Sequence, residues 1–123
     1  MVRAGLLAMA LAGASAPGAT AQEPGRLAFD LNRLDDADGA CRLTFVADNG
    51  WAPLARLVLE TVLFDRAGRV ARLTLFDFGA LPRNRRRVRQ FDMAGIACAD
   101  LAQVLVNGVS ARAAEGSEAG PDT

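Results

Sequence analysis

Residues 54–64 (LARLVLETVLF) and 69–77 (RVARLTLFD) flank the tetrapeptide Asp65-Arg66-Ala67-Gly68, and together they spell a complete β-hairpin. Asp65 caps its own turn through its carboxylate, and Gly68 supplies the left-handed conformation that closes a type I turn with a bulge. With Asp65 opposite Arg69, an uninterrupted ladder sets Leu63 opposite Ala71, Thr61 opposite Leu73 and Leu59 opposite Leu75. Because strand side chains alternate with period two, this face is the expected core. The other face then carries Val58, Glu60, Val62 and Phe64 against Phe76, Thr74, Arg72 and Val70, with Glu60 in diagonal reach of Arg72. That face is too apolar to stay solvated, so a cover is expected: the rest of the chain, a second copy or a partner. Residues 54–63 contain no Gly or Pro and also permit a helix, but the alternation after the turn and the turn chemistry favour strands.

The remaining chain reads as further short strands. Leu27, Phe29 and Leu31 alternate with Ala28, Asp30 and Asn32, and CRLTFVAD at 41–48 alternates in the same way before the turn signal Asp48-Asn49-Gly50. Between them lies Asp35-Asp36-Ala37-Asp38-Gly39. Its carboxylates suggest a calcium loop, but Leu34 stands at the first ligand position and Phe45 where a closing Glu belongs, so an acidic turn is expected and no metal. Residues 78–82 (FGALP) read as a connection and 83–92 as the next strand. The end of the chain offers a strand at 103–109 or a helix at 101–106; Val-Leu-Val before Asn-Gly favours the strand. Residues 111–123 have the composition of a frayed tail. Trp51, the single Trp, follows a turn and is expected to cap the core's open end or to anchor a partner.

Residues 1–21 carry the marks of a secretory signal peptide: Arg3, an apolar segment at 4–14, and Ala19-Thr20-Ala21 before Gln22. The apolar segment falls short of the roughly 20 residues needed to span a bilayer, and Pro17-Gly18 follow it. The expected product is a periplasmic or secreted domain at 22–110 with no membrane-spanning segment. Cys41 and Cys98, the only cysteines, then form one structural disulfide, worth about 4 kcal/mol if it acts by restricting the unfolded chain.

Composition excludes much chemistry. Without His or Lys there is no Ser-His, Cys-His or Ser-Lys pair and no Schiff base, and two thiols without His hold no zinc. Carboxylate-only hydrolysis stays open as a remote alternative, though no pair of Asp or Glu stands out. No catalytic residue and no cofactor is expected. Formal net charge is +0, which argues against a nucleic-acid partner. Charge is concentrated at Arg83, Arg85, Arg87 and Arg89, a row able to bind phosphate or carboxylate groups, such as those of anionic lipid. The alternative role of that row is to keep an edge strand from pairing. The surface expected to meet an envelope protein, or a second copy, is drawn from Trp51, Val58, Val62 and Phe76.

The order of strand, Asn-Gly loop and long strand ending Thr61-Val62-Leu63-Phe64-Asp65, then Gly68 and a returning strand, resembles the immunoglobulin-like sandwich domains of FxLYD type, with Thr61 and Phe64 in place of that motif's Phe and Tyr. Through Cys41, FDRAGRVARLTL, LPRNRRRVRQFD, ACADL and VLVNGVS the chain is also similar to small exported alphaproteobacterial proteins often labelled by a Tat-type signal segment; Arg3 stands alone where that label implies two arginines. The resemblance implies a compartment and an antiparallel β-sandwich of about six to seven strands. It implies no activity. The expected role is a non-catalytic binding or accessory module acting by protein–protein contact, with anion binding by the arginine row as the alternative.

Overall fold

The computed structural model describes residues 25–114; the signal peptide expected at 1–21 and residues 115–123 of the expected tail lie outside them. Six strands follow one another: β1 (Leu27–Ala37), β2 (Ala40–Asn49), β3 (Leu54–Asp65), β4 (Val70–Leu81), β5 (Arg85–Ala94) and β6 (Leu101–Ala113), with a short 3-10 turn at Cys98–Asp100 before β6. They form two antiparallel three-stranded sheets, β1-β2-β5 and β4-β3-β6. This is the pairing of an immunoglobulin-like sandwich in which first, second and fifth strands face third, fourth and sixth. Strand β4 continues to Leu81 in place of most of the expected connection, and β6 runs through 101–113, so the frayed tail does not begin at 111.

The hairpin turn forms as its residues dictate. The Asp65 carboxylate accepts from the backbone N–H of Ala67 (2.9 Å) and Arg69 (3.0 Å), and Gly68 has a φ of 79°. Asp65 and Arg69 face each other through a backbone bond of 2.9 Å, and Phe64 pairs with Val70. The ladder then shifts. Leu63 pairs with Arg72, Thr61 with Thr74 and Leu59 with Phe76, which leaves Ala71 as an extra residue in β4.

That bulge reverses the expected faces of β4. Leu59, Thr61 and Leu63 are buried as anticipated, but Leu73 and Leu75 point outward at 68% and 67% exposure, whereas Phe76 and Phe78 enter the core. Phe76 is therefore a core residue and no part of a contact surface. Arg72 also turns away from Glu60 and donates to the Ala94 carbonyl of β5 (2.7 Å). The physical reason is payload: two phenylalanines exceed two leucines in area and also gain ring contacts. Phe76 stacks on Phe91 (4.4 Å between centroids) and meets Phe45 (5.5 Å), while Phe78 meets Phe29 (5.5 Å) edge-on.

Around these rings, Cys41, Leu43, Phe45 and Ala47 of β2 meet Leu54, Leu57, Leu59 and Leu63 of β3. The Cys41–Cys98 disulfide closes a separation of 57 residues. It ties β2 of one sheet to the lead-in of β6 in the other. At the opposite end the buried Asn49 donates to the carbonyls of Ala52 (2.7 Å) and Leu81 (2.9 Å) and accepts from the Trp51 N–H (3.0 Å). Trp51 packs against the core there, as a lid.

Two measurements test these assignments. Phe76→Ala is expected to cost about 3–5 kcal/mol, and Leu73→Ala to stay within about 0.5 kcal/mol of the parent, in urea titrations; the opposite ranking is required if the ladder runs straight. Reduction of the Cys41–Cys98 bond is expected to lower stability by about 2–5 kcal/mol in the same assay.

Candidate functional site

The outer faces of the two sheets differ in kind. On β1-β2-β5, cross-strand pairs satisfy the polar groups: Arg42 clasps Asp92 (2.8 and 3.1 Å), Arg86 clasps Asp48 (2.9 and 3.3 Å), and Gln90 donates to Thr44 (3.2 Å). Between these pairs Val46 meets the exposed Val88, a single apolar pair set among polar ones on a solvated sheet face.

The outer face of β4-β3-β6 is apolar at its centre. Val62 pairs with Leu73 on one side and Leu105 on the other, so the three side chains form a row across the sheet. Val62 itself is buried beneath its two exposed neighbours. Leu75 continues the surface opposite Glu60, while Phe64 lies half-buried beside the exposed Val70. The lower part is a shallow concavity of about 380 Å³ lined by Arg56, Val58, Glu60, Leu75, Gly108, Val109 and Ser110. Glu60 lies across Gly108: a Cβ there would come within 3.0 Å of the Glu60 carboxylate, so the absence of a side chain makes room for it. Arg56 is held by Asp77 (2.8 and 3.1 Å), which leaves polar groups along one rim of the apolar row.

Among the residues anticipated for contact, Val58 and Val62 lie on this surface, Trp51 caps the far end of the sandwich and Phe76 is inside. Leu73, Leu75 and Leu105 were missed. The signal for the first two was present, because Phe76 and Phe78 share one parity of the strand and Leu73 and Leu75 the other, and burying both aromatics requires the ladder to gain one residue.

The arginine row is divided among different tasks. Arg85, Arg87 and Arg89 share a face with Phe91, as alternation requires, but it is the inner face, where they oppose Asn49, Ala47 and Phe45. Arg89 reaches across the sandwich to donate to the carbonyls of Phe78 (2.8 Å) and Ala80 (3.2 Å) of β4. Arg87 donates to the Arg86 carbonyl (3.1 Å), and Arg83 and Arg85 are exposed at the β4–β5 turn. Of the expected acidic turn only Asp38-Gly39 is a turn, since Asp35 and Asp36 belong to β1; there Asp36 accepts from the Cys98 N–H (2.8 Å) and Asp35 pairs with Arg33 (2.8 Å). Among the described residues no group of three His, Cys, Asp or Glu side chains is placed to hold a metal.

Three carboxylates are tuned by these contacts. The Arg69 N–H holds Asp65 below its ordinary range, with Ala67 adding to the effect, and Arg56 and Arg42 do the same for Asp77 and Asp92 through side-chain hydrogen bonds. A depressed folded-state value stabilises the fold above the unfolded carboxylate value and loses that contribution as pH falls through the folded value. The thermal midpoint is therefore expected to be flat from about pH 7 to 5 and to fall below roughly pH 4. Asp65→Asn, whose amide oxygen still accepts the turn N–H groups, should make that acid limb shallower.

Comparison with known protein families, with characterised proteins and with solved structures returns no match.

Proposed function

We propose that this protein is an exported, non-catalytic binding or accessory module that acts by protein–protein contact through the outer face of β4-β3-β6. The observation that carries the reading is the row Leu73–Val62–Leu105 with Leu75 beside it, apolar side chains held outward on one sheet while the other shows paired charges around a single Val46–Val88 pair. A contiguous apolar surface with a polar rim is characteristic of a contact site.

Export is supported by the signal-like segment at 1–21 and by the formed disulfide, which persists in oxidising compartments such as the bacterial periplasm. No helix among the described residues is long and apolar enough to cross a membrane. A non-catalytic role is supported by the composition, which lacks His and Lys, and by the commitment of Asp48, Asp65, Asp77 and Asp92 to arginines and turn amides. The anion-binding alternative keeps only Arg83, Arg85 and Arg87, since Arg89 is spent on backbone carbonyls.

Affinity capture from periplasmic extract, run in parallel with the parent chain and with Leu73→Ser/Leu75→Ser, tests the reading. A partner retained by the parent and lost by the double variant is the expected result. A partner set unchanged by the double variant would remove the outer face from consideration, and retention on anionic vesicles abolished by Arg85→Ala/Arg87→Ala would favour the alternative.

A further inference from the structure

A sandwich of this pairing ordinarily has one more strand beside β6, and among the described residues nothing pairs with that edge. The consequence is visible on the inner faces. Register places Val104, Val106, Val109 and Ala111 on the core side of β6, opposite Leu63, Thr61, Leu59 and Leu57. Val104 and Ala111 pack against the core, yet Val106 is 42% and Val109 56% exposed. Across the same opening, Leu34 of β1 faces inward beside Leu43 and is also exposed. Among the described residues the sandwich is open on its β1/β6 side.

The opposite side is closed by Arg89 reaching from β5 to β4 and Arg72 reaching from β4 to β5. The other edge strands are also protected by charge, with Asp30, Arg33, Asp35 and Asp36 on β1, Arg72 and Asp77 on β4, and the arginines on β5. β6 is the longest strand, 13 residues, and Arg112 is its single charge.

The sequence of β6 matches itself in reverse. Asn107 is an extra residue in the ladder to β3, between Val106 and Gly108. Reflection about the Asn107–Gly108 bond sets Val106 on Val109, Val104 on Ala111, Leu105 on Ser110 and Gln103 on Arg112, inner face to inner face and outer to outer throughout. The break in alternation falls at the centre, where it leaves the faces matched on both sides, and no like charges meet. We propose that β6 pairs antiparallel with β6 of a second copy about this point, so that each copy provides the other's missing strand and the two sheets join into one. Such a contact is self-complementary, closes as a dimer and leaves no β6 edge exposed.

Light scattering of the purified, oxidised chain on a sizing column, over roughly two decades of concentration, is the test. A dimer is expected. Val106→Lys and Val109→Lys, each at a part-exposed site, are expected to weaken it by more than about tenfold through an inward charge at the edge, and Leu73→Lys to leave it intact. Leu105→Cys/Ser110→Cys should yield a covalent dimer on oxidation, which reads the register even if a Lys variant fails to fold. A monomer throughout overturns the proposal. So does a dimer that both Lys variants spare or that Leu73→Lys alone dissolves, or one in which the Cys pair does not cross-link. Failure here leaves the outer-face contact standing, because that surface is read separately by Leu73→Ser/Leu75→Ser.

Discussion

The extra residue at Ala71 is the constraint on which the rest of this structure depends. It lets the Asp65–Gly68 turn keep its own geometry while β4 presents Phe76 and Phe78, and not Leu73 and Leu75, to the interior. Turn and core make incompatible demands on a straight ladder. One bulge satisfies both, at the cost of leaving two leucines outside. Each leucine forgoes about 1.5–3 kcal/mol of burial, and the aromatic cluster around Phe45 and Phe91 offsets that loss.

The core and the candidate contact surface therefore have a single origin. The shift that fills the space between the sheets with rings also builds the apolar row over Val62. It moves Arg72 from the outer face, where it would have neutralised Glu60, to the side of the sandwich, where it joins Arg89 in bridging β4 and β5. Arginines that read as a binding row in the sequence are thus partly structural. Guanidinium groups suit that task because they satisfy exposed edge carbonyls at more than one donor.

Closure is unequal around the molecule. Arginine bridges hold one side, the disulfide and the Asp36–Cys98 bond hold one end, and Asn49 with Trp51 holds the other. Among the described residues the β1/β6 side has no such device. An unprotected edge beside half-covered valines is the kind of feature that native sheets avoid unless the edge is used. The apolar outer face and the bare edge are adjacent but distinct, so one chain carries two surfaces suited to contact.

Much of the fold was legible in the residues: the strands from their alternation, the hairpin from Asp65 and Gly68, and the Cys41–Cys98 bond from the count of thiols. These depend on neighbours a few positions away or on simple scarcity, and both are visible in one dimension. The candidate surface was legible only in part, through Val58 and Val62 on the strand whose parity no bulge altered between Leu57 and Asp65. What only the tertiary structure decided was the parity of β4, the division of the arginines and the open side beside β6. A period-two pattern is reversed by one inserted residue, and whether it is inserted depends on which side chains find rings and backbone carbonyls across the sandwich, contacts between residues far apart in the chain.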